Sequence, residues 1–175
     1  MFDLTGRNAL VTGSTGGIGG AIAEALHARG ATVTLSGTRR ERLETRATAL
    51  GERAHVAPGD LSTAEGAAAV VEAAEAAMGG IDILVNNAGF TRDGLALRMK
   101  DEDFLRVLDV NLVAGFRLAR ASLRGMMKRR WGRIVGISSV VAFMGNPGQA
   151  NYAASKAGMV GMTKSLAAEV AARGI

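Results

Sequence analysis

Apolar runs of strand length alternate with segments of helical periodicity throughout the chain. Five runs have the length and composition of buried β-strands, at residues 8–12, 31–36, 54–57, 81–85 and 133–137. Helical spacing of apolar residues fills the intervals, at 21–30, 41–50, 63–78, 101 to about 130, and 151–173. Strands that alternate with helices predict parallel pairing through right-handed crossovers. The pattern therefore predicts an α/β fold with a doubly wound parallel sheet, in one domain that covers residues 1–175.

The polar residues that follow these strands are candidates for a ligand site. Doubly wound sheets bind ligands beyond the carboxyl ends of their strands. A glycine cluster follows the first strand, Asp60 and Leu61 follow the third, Asn87 follows the fourth and Ser139 follows the fifth. We therefore expect all of these residues along one rim of the sheet.

The glycine cluster has the character of a phosphate-binding turn. It reads Thr12-Gly13-Ser14-Thr15-Gly16-Gly17-Ile18-Gly19 and joins the first strand to the first helix. Glycine lets backbone N–H groups approach a pyrophosphate, and the helix N-terminus adds donors and positive potential. The Gly-x3-Gly-x-Gly spacing differs from the commoner Gly-x-Gly-x-x-Gly, and a plain turn would also tolerate glycine. Its place between a strand and a helix favours a Rossmann nucleotide site, with cofactor contacts from Gly13 to Gly19.

The end of the second strand indicates which nucleotide is bound. NAD sites usually hold an acidic residue there, bonded to the ribose 2′-hydroxyl. Here Thr38, Arg39 and Arg40 follow the strand, and no acid precedes Glu41. Thr38 and Arg39 can hydrogen-bond and neutralise a 2′-phosphate, which predicts NADP(H). The alternative is that the two arginines are a solvated helix start.

Tyr152 and Lys156 are the candidate proton-transfer pair. They lie four residues apart in the predicted last helix, so both side chains leave one helical face. A phenol beside an ammonium is a tunable proton donor. The same spacing also occurs in ordinary pairs on helix surfaces. Ser139, expected on the same rim, favours the catalytic interpretation.

Composition removes several classes of function. The 175 residues are 48% hydrophobic and 21% charged, which is typical of a globular domain. The absence of cysteine excludes disulfides, thiolate catalysis and Cys-based zinc sites, and His27 and His55 stand in settings that predict no metal site. No signal region opens the chain and no run reaches membrane-spanning length. A cytoplasmic setting is therefore the simplest interpretation.

The net charge of +5 would suit a partner of negative charge. Nucleic acid, a phosphorylated cofactor and an acidic protein would each qualify. The chain has few aromatic residues, and they are not interleaved with arginine as a stacking surface requires. The charge therefore favours a phosphorylated cofactor or an acidic protein over nucleic acid.

The motifs together resemble the short-chain dehydrogenase/reductase family. The resemblance rests on Thr12-Gly13-x3-Gly17-Ile18-Gly19, Asn86-Asn87-Ala88-Gly89, Asn111, Ser139 and Tyr152-x3-Lys156, and it runs from end to end. Segments 87–94, 126–134 and 145–152 are similar to bacterial 3-oxoacyl-(acyl-carrier-protein) reductases. Those enzymes use NADPH to reduce a 3-ketoacyl thioester to the 3-hydroxyacyl form in fatty-acid elongation.

The resemblance implies a role for each candidate. Tyr152 would be the general acid, and Lys156 would assist it and hold the nicotinamide ribose. Ser139 would bind the substrate carbonyl, and Asn111 would anchor a water that relays protons to Lys156.

Further roles follow for the rest of the rim and for the basic charge. Asp60 and Leu61 would frame the adenine, and Asn87 would line the cofactor cleft. Arg130 and Arg173 would contact the acidic acyl carrier protein, with Lys128, Arg129 and Arg133 enlarging the basic patch. The alternative for this patch is a solvated helix end favoured by the helix dipole.

Two features depart from the family pattern. Gly16 stands where many NADPH-preferring relatives carry a basic residue, and the sequence stops at Ile175. Relatives continue into a sixth strand, a substrate-covering loop and a seventh strand that helps build a homotetramer. We therefore expect the C-terminal strands to be absent from this domain, with exposed apolar surface on the fifth strand and last helix. Two alternatives stay open: a reductase of acetoacetyl-CoA or a small ketone, and a non-catalytic nucleotide-binding fragment.

Overall fold

Five parallel strands form one sheet in the computed structural model, which describes residues 3–175. The strands are β1 Asn8–Thr12, β2 Thr32–Gly37, β3 Ala54–Pro58, β4 Ile83–Asn86 and β5 Arg133–Gly136. Their order in the sheet is β3-β2-β1-β4-β5, and every neighbouring pair is parallel. The chain thus moves outward from β1 to β3 and then returns to the other side of β1. The predicted doubly wound parallel sheet is confirmed, with its switch point between β1 and β4.

Helices cover both faces of this sheet. They are α1 Gly17–Ala28, α2 Arg40–Leu50, α3 Ala64–Met78, α4 Asp101–Leu108, α5 Ala114–Arg129, α6 Val141–Met144 and α7 Ala150–Val170. Short 3-10 turns lie at Ala96–Arg98 and Ala171–Arg173. One core joins β1 to α1 and α2 through residues such as Val11, Ala23 and Leu43. The opposite core joins the sheet to α3 and α5 through Leu10 and Leu118. Two buried faces explain the nearly continuous apolar runs of the strands.

The predicted long helix at 101–130 is interrupted. A π-helical turn at Asp109–Val113 separates α4 from α5. The buried Asn111 side chain bonds to the backbone of Phe90, outside the helix, and the turn widens around it. Apolar periodicity continues on both sides of the break, so the sequence pattern did not reveal it. The last helix likewise ends at Val170, with a 3-10 turn in the part predicted as helix.

The outer strand β5 is covered unequally on its two faces. Val135 stands in register with Val85, which packs in the α1/α2 core, yet Val135 is 44% exposed. This confirms the expected apolar exposure on the fifth strand. On the opposite face, Ile134 and Leu166 of α7 pack against the core. The last helix therefore exposes less apolar surface than the sequence predicted.

The helices also bear on a membrane location. None of those formed within residues 3–175 combines the length and apolarity that crossing a bilayer requires.

Leu118→Ala tests the α3/α5 core. Leu118 is fully buried, so its truncation should lower the free energy of unfolding by about 2–5 kcal/mol, because a cavity remains. Leu97→Ala is the matched control, since Leu97 is 98% exposed. Urea unfolding measures both. Equal effects of the two substitutions would contradict this packing.

Candidate active site

A cleft runs along the carboxyl rim of the sheet as two adjoining hollows of about 300 and 360 Å³. Gly13, Ala88, Gly89 and Phe90 border both hollows, so they divide one continuous site. The first hollow extends toward the ends of β2 and β3. The second extends toward the end of β5 and the start of α7. The cleft therefore lies where the strand order reverses, as predicted for a nucleotide site.

The glycine-rich turn forms the floor of the cleft. Gly13 has a left-handed backbone, with φ of +64°, and its carbonyl accepts a hydrogen bond from Gly16 N at 3.1 Å. Gly16 is the N-cap of α1 and supplies no side-chain cap. The first amides of α1 thus lack intrahelical partners and can bind an anion. Gly19 packs so closely that an added Cβ would lie 2.5 Å from Gly13 O.

A hydroxyl at the end of β1 fixes this turn against β4. Thr12 Oγ1 donates to Val85 O at 3.1 Å and accepts from the backbone N–H groups of Asn87 and Ala88 at 3.1 and 3.0 Å. Asn87 Nδ2 also donates to Thr12 O at 2.9 Å and to Gly13 O at 3.3 Å. The sequence predicted no structural role for the Thr12 side chain. A threonine that ends an otherwise apolar strand was the available signal.

The other predicted residues of the turn take different positions. Ser14 is buried, and both its backbone N–H and its hydroxyl donate to Ser36 O at 3.1 Å. Its side chain therefore braces β1 against β2 rather than lining either hollow. Thr15 lines the first hollow, whereas Gly16, Gly17 and Ile18 line the second.

The end of β2 contributes Thr38 to the first hollow. Arg39 is exposed at the N-cap of α2, and it does not line this hollow. Arg40 pairs with Glu44 at 3.3 Å, and both side chains are more than half exposed, so the pair is weak. No carboxylate stands between Thr38 and Glu41.

Asp60 and Leu61 close the far end of the first hollow. Leu61 is 6% exposed and presents an apolar wall. Asp60 accepts a hydrogen bond from Ser62 N at 2.9 Å. The pKa of Asp60 is lowered chiefly by this backbone bond, then by the Ser62 side chain, with a smaller contribution from the charge of Arg106. Asp60 is therefore a carboxylate at neutral pH.

Tyr152 and Lys156 line the second hollow together. Lys156 Nζ lies 5.7 Å from the centre of the Tyr152 ring and donates to Ile137 O at 2.7 Å. Only 4% of Lys156 is exposed, and this burial lowers its pKa from the ordinary value of 10.5. The segment that follows β5 thus holds the ammonium near the phenol ring, in the hollow that both side chains line.

Two serines follow β5, and they differ in their contacts. Ser138 lines the second hollow, and its hydroxyl donates to Lys156 O at 3.1 Å. Ser139 is half-buried one residue farther on, and its hydroxyl accepts from Val141 N at 3.2 Å. The Ser139 hydroxyl proton remains free to donate, because the oxygen is the acceptor in that bond.

Asn111 lies beneath the pair and joins three segments. It is 1% exposed; its Oδ1 accepts from Phe90 N, and its Nδ2 donates to Phe90 O, both at 3.0 Å. Nδ2 also donates to Ser155 Oγ at 3.2 Å, and Ser155 in turn donates to Tyr152 O at 2.8 Å. The side chain therefore ties the π-helical turn to the β4 loop and to α7. Sequence analysis missed Ser155, a small polar residue on an otherwise ordinary helix.

Arg130 and Arg173 lie at the other end of the sheet, where β5 begins. Arg130 Nη2 donates to Ala172 O at 3.2 Å, so it contacts the segment that carries Arg173. The cleft is at the other end of α7, and at 1.5 Å per residue Tyr152 is roughly 30 Å away. Arg129 instead turns inward, with an ion pair to Asp82 at 2.9 Å, and so contributes less to the basic patch than expected.

Metal-binding clusters are absent from the described residues: nowhere in 3–175 do three or more His, Asp or Glu side chains converge. His27 bonds to Glu52 O at 2.7 Å. His55 lies within β3.

Fold and cleft together define a Rossmann-type nucleotide site at the switch point of a doubly wound sheet. The model of the short chain dehydrogenase family matches residues 7–175. The chain therefore belongs to the short-chain dehydrogenase family.

Relatives and solved structures agree with this assignment. Nodulation protein G of Rhizobium sp. (strain N33) is 59% identical over the whole chain, which spans 71% of that protein. The 3-oxoacyl-(acyl-carrier-protein) reductase FabG of Rickettsia felis is 51% identical, again over the whole chain and 71% of the relative. A Sinorhizobium meliloti structure assigned to the short-chain alcohol dehydrogenases superposes with a TM-score of 0.93 at 38% identity, covering 98% of this chain and 69% of that one.

Gly19→Ala tests the packing of the turn. The new Cβ would press on Gly13 O, a backbone atom, so we expect a loss of roughly 1–3 kcal/mol in stability. Gly17→Ala is the control, because an added Cβ there meets no atom within 4 Å. Thermal unfolding compares the two variants. A stable Gly19→Ala would contradict the close approach.

Proposed function

We propose that this protein reduces a 3-oxoacyl thioester, carried on acyl carrier protein, to the 3-hydroxyacyl thioester with NADPH. The observation that carries the proposal is the second hollow, where Tyr152 and the buried Lys156 meet the glycine-rich turn. The reaction class follows from membership of the family. The choice of substrate is supported by 51% identity to the Rickettsia felis reductase along the whole chain.

The residues of the cleft fit a dinucleotide. The uncapped start of α1 offers amides to the pyrophosphate, and Gly17 leaves open space beside them. Thr38 lines the neighbouring hollow, and no acidic residue follows β2 before Glu41, which supports NADP(H) over NAD(H). Arg39, exposed beside it, would meet the 2′-phosphate from the solvent side. When bound, the cofactor supplies a hydride to the carbonyl carbon.

Proton transfer falls to the side chains of α7 and the β5 loop. Tyr152 donates its phenolic proton to the carbonyl oxygen as negative charge develops there. The Lys156 ammonium stabilises the resulting phenolate, since it is buried 5.7 Å from the centre of the Tyr152 ring in the same hollow. The Ser139 hydroxyl donates to the same carbonyl oxygen, while Val141 N holds the hydroxyl in place.

Asn111 borders the space through which Tyr152 can be reprotonated. At Gly89, an added Cβ would lie 3.0 Å from Asn111 Oδ1 and 3.6 Å from Lys156 Nζ. The missing side chain therefore leaves room between these two groups for one relay water. Three of the hydrogen bonds of Asn111 go to protein atoms, so its position is fixed whatever occupies the cleft.

The acidic carrier protein is the proposed partner of the basic patch that includes Arg130 and Arg173. Arg130 contacts the backbone of the segment that carries Arg173, and the chain carries a net charge of +5. Because this patch is roughly 30 Å from Tyr152 along α7, the two arginines would dock the carrier and take no part in the chemistry. Complementary charge of this kind speeds association and weakens with added salt.

A second candidate is a reductase of the same family that acts on a different carbonyl compound. The greater identity to nodulation protein G, 59%, favours keeping this alternative. The kinetics of Arg130→Glu on a carrier-linked substrate and on the CoA thioester separate the two candidates.

Tyr152→Phe tests the assignment of the acid. We expect the rate of NADPH oxidation with an acetoacetyl thioester to fall at least about 100-fold, because general acid catalysis is lost. NADPH binding and thermal stability should persist, since only the hydroxyl is removed. The same assay with NADH should give a slower rate in the wild type. Equal rates for Tyr152→Phe and wild type would exclude Tyr152 as the acid.

Arg130→Glu tests the carrier partner. With a carrier-linked 3-oxoacyl substrate, KM should rise roughly five- to tenfold, and with the CoA thioester it should not change. Arg29→Glu makes the same charge change at the end of α1, on the other face of the sheet, and should leave both KM values unaltered. Identical kinetics of Arg130→Glu on both substrates would favour the alternative carbonyl reductase.

A further inference from the structure

Arg106 is a charged residue of the cleft that neither the family motifs nor the proposed chemistry uses. It lies on α4 and lines the first hollow together with Val110 of the π-helical turn. Among the described residues that line this hollow, only Asp60 and Arg106 carry a charge. No role is predicted for Arg106 from the sequence motifs.

The contacts of Arg106 leave its guanidinium available to a ligand. Two other arginines near the site have carboxylate partners: Arg92 pairs with Asp103 at 3.1 Å and Arg46 with Glu24 at 2.6 Å. Arg106 forms no such pair in residues 3–175, and its guanidinium carbon lies 6.0 Å from the centre of the Phe90 ring. Phe90 thus supports the group from one side, and the hollow lies beside it.

The hollow itself has the shape and chemistry of a purine site. Leu61 provides an apolar wall, and the Asp60 carboxylate can accept from an exocyclic amine. Asp60 comes from the β3 end and Arg106 from α4, so the two charges reach the hollow from different segments. They are close enough for the charge of Arg106 to lower the pKa of Asp60. A planar guanidinium on this side can stack on a flat aromatic base, which a lysine ammonium cannot do equally well.

We propose that Arg106 is a cofactor-binding residue that covers the adenine of the dinucleotide with its guanidinium, with Asp60 contacting the same base from the other segment. The inference rests on the proposed nucleotide site. It differs from the NADP(H) assignment, because an adenine contact serves phosphorylated and unphosphorylated dinucleotides alike.

The test measures dissociation constants of NADPH, NADH and reduced nicotinamide mononucleotide by the fluorescence of the reduced nicotinamide. Arg106→Gln should weaken NADPH and NADH by the same factor, roughly two- to fivefold, and leave the mononucleotide unchanged because it has no adenine. Arg106→Lys should recover only part of the loss. About 0.5 M salt limits effects of charge at a distance. Arg29→Gln is the matched control, with the same charge change far from the cleft.

The outcomes separate the possible roles. A loss confined to NADPH would overturn the proposal and make Arg106 a phosphate ligand. An equal loss for the mononucleotide would also overturn it, since the effect would not depend on adenine. Unchanged binding of all three ligands would show that Arg106 makes no contact. A wild-type protein that binds neither dinucleotide would overturn the nucleotide site itself, and the role of Arg106 with it.

Discussion

The buried side chain of Asn111 is the constraint on which the geometry of the site depends. Its three hydrogen bonds reach the β4 loop at Phe90 and α7 at Ser155, and they hold the helix open as a π-helical turn. A buried amide must satisfy its donors and acceptors, so these bonds are costly to break. Because Ser155 in turn contacts Tyr152 O, the position of the phenol is linked to a side chain more than forty residues away. The site is thus held by polar contacts between elements that are distant in sequence.

The second fixed element is the junction of β1 and β4. Asn87 donates hydrogen bonds to Thr12 and Gly13 across the two strand ends, and these bonds fix the position of the glycine-rich turn relative to β4. At a switch point, the segments that follow the two neighbouring strands lead away from each other and leave a crevice outside the strand ends. Polar side chains that bridge the crevice at its base fix its width while leaving its upper part open to a ligand. The two hollows are the consequence of this arrangement.

The sequence predicted the elements whose periodicity is local. All five strands and the rim that carries the site were confirmed, because apolar runs and glycine stops depend on near neighbours. The pair Tyr152 and Lys156 was likewise found in one hollow, because helical spacing determines it. The π-helical turn was missed, since one inserted residue leaves the apolar pattern on both sides intact. The inward orientations of Ser14 and Arg129 were missed for a related reason: each depends on a partner distant in sequence, Ser36 or Asp82.

The burial of Lys156 has a thermodynamic consequence for the whole domain. An ammonium that is 4% exposed, with one backbone carbonyl as its hydrogen-bond acceptor, is poorly compensated for the water it has lost. The pKa of Lys156 is lowered in the folded state, so the unfolded chain binds this proton more tightly than the native protein does. By linkage, that penalty is fully present below the lowered pKa and is relieved as the pH rises toward 10.5, where the native protein sheds the proton first. The proposed role of Lys156 in proton transfer would therefore come at the expense of conformational stability, and an apolar residue of similar length at this position should give a more stable protein.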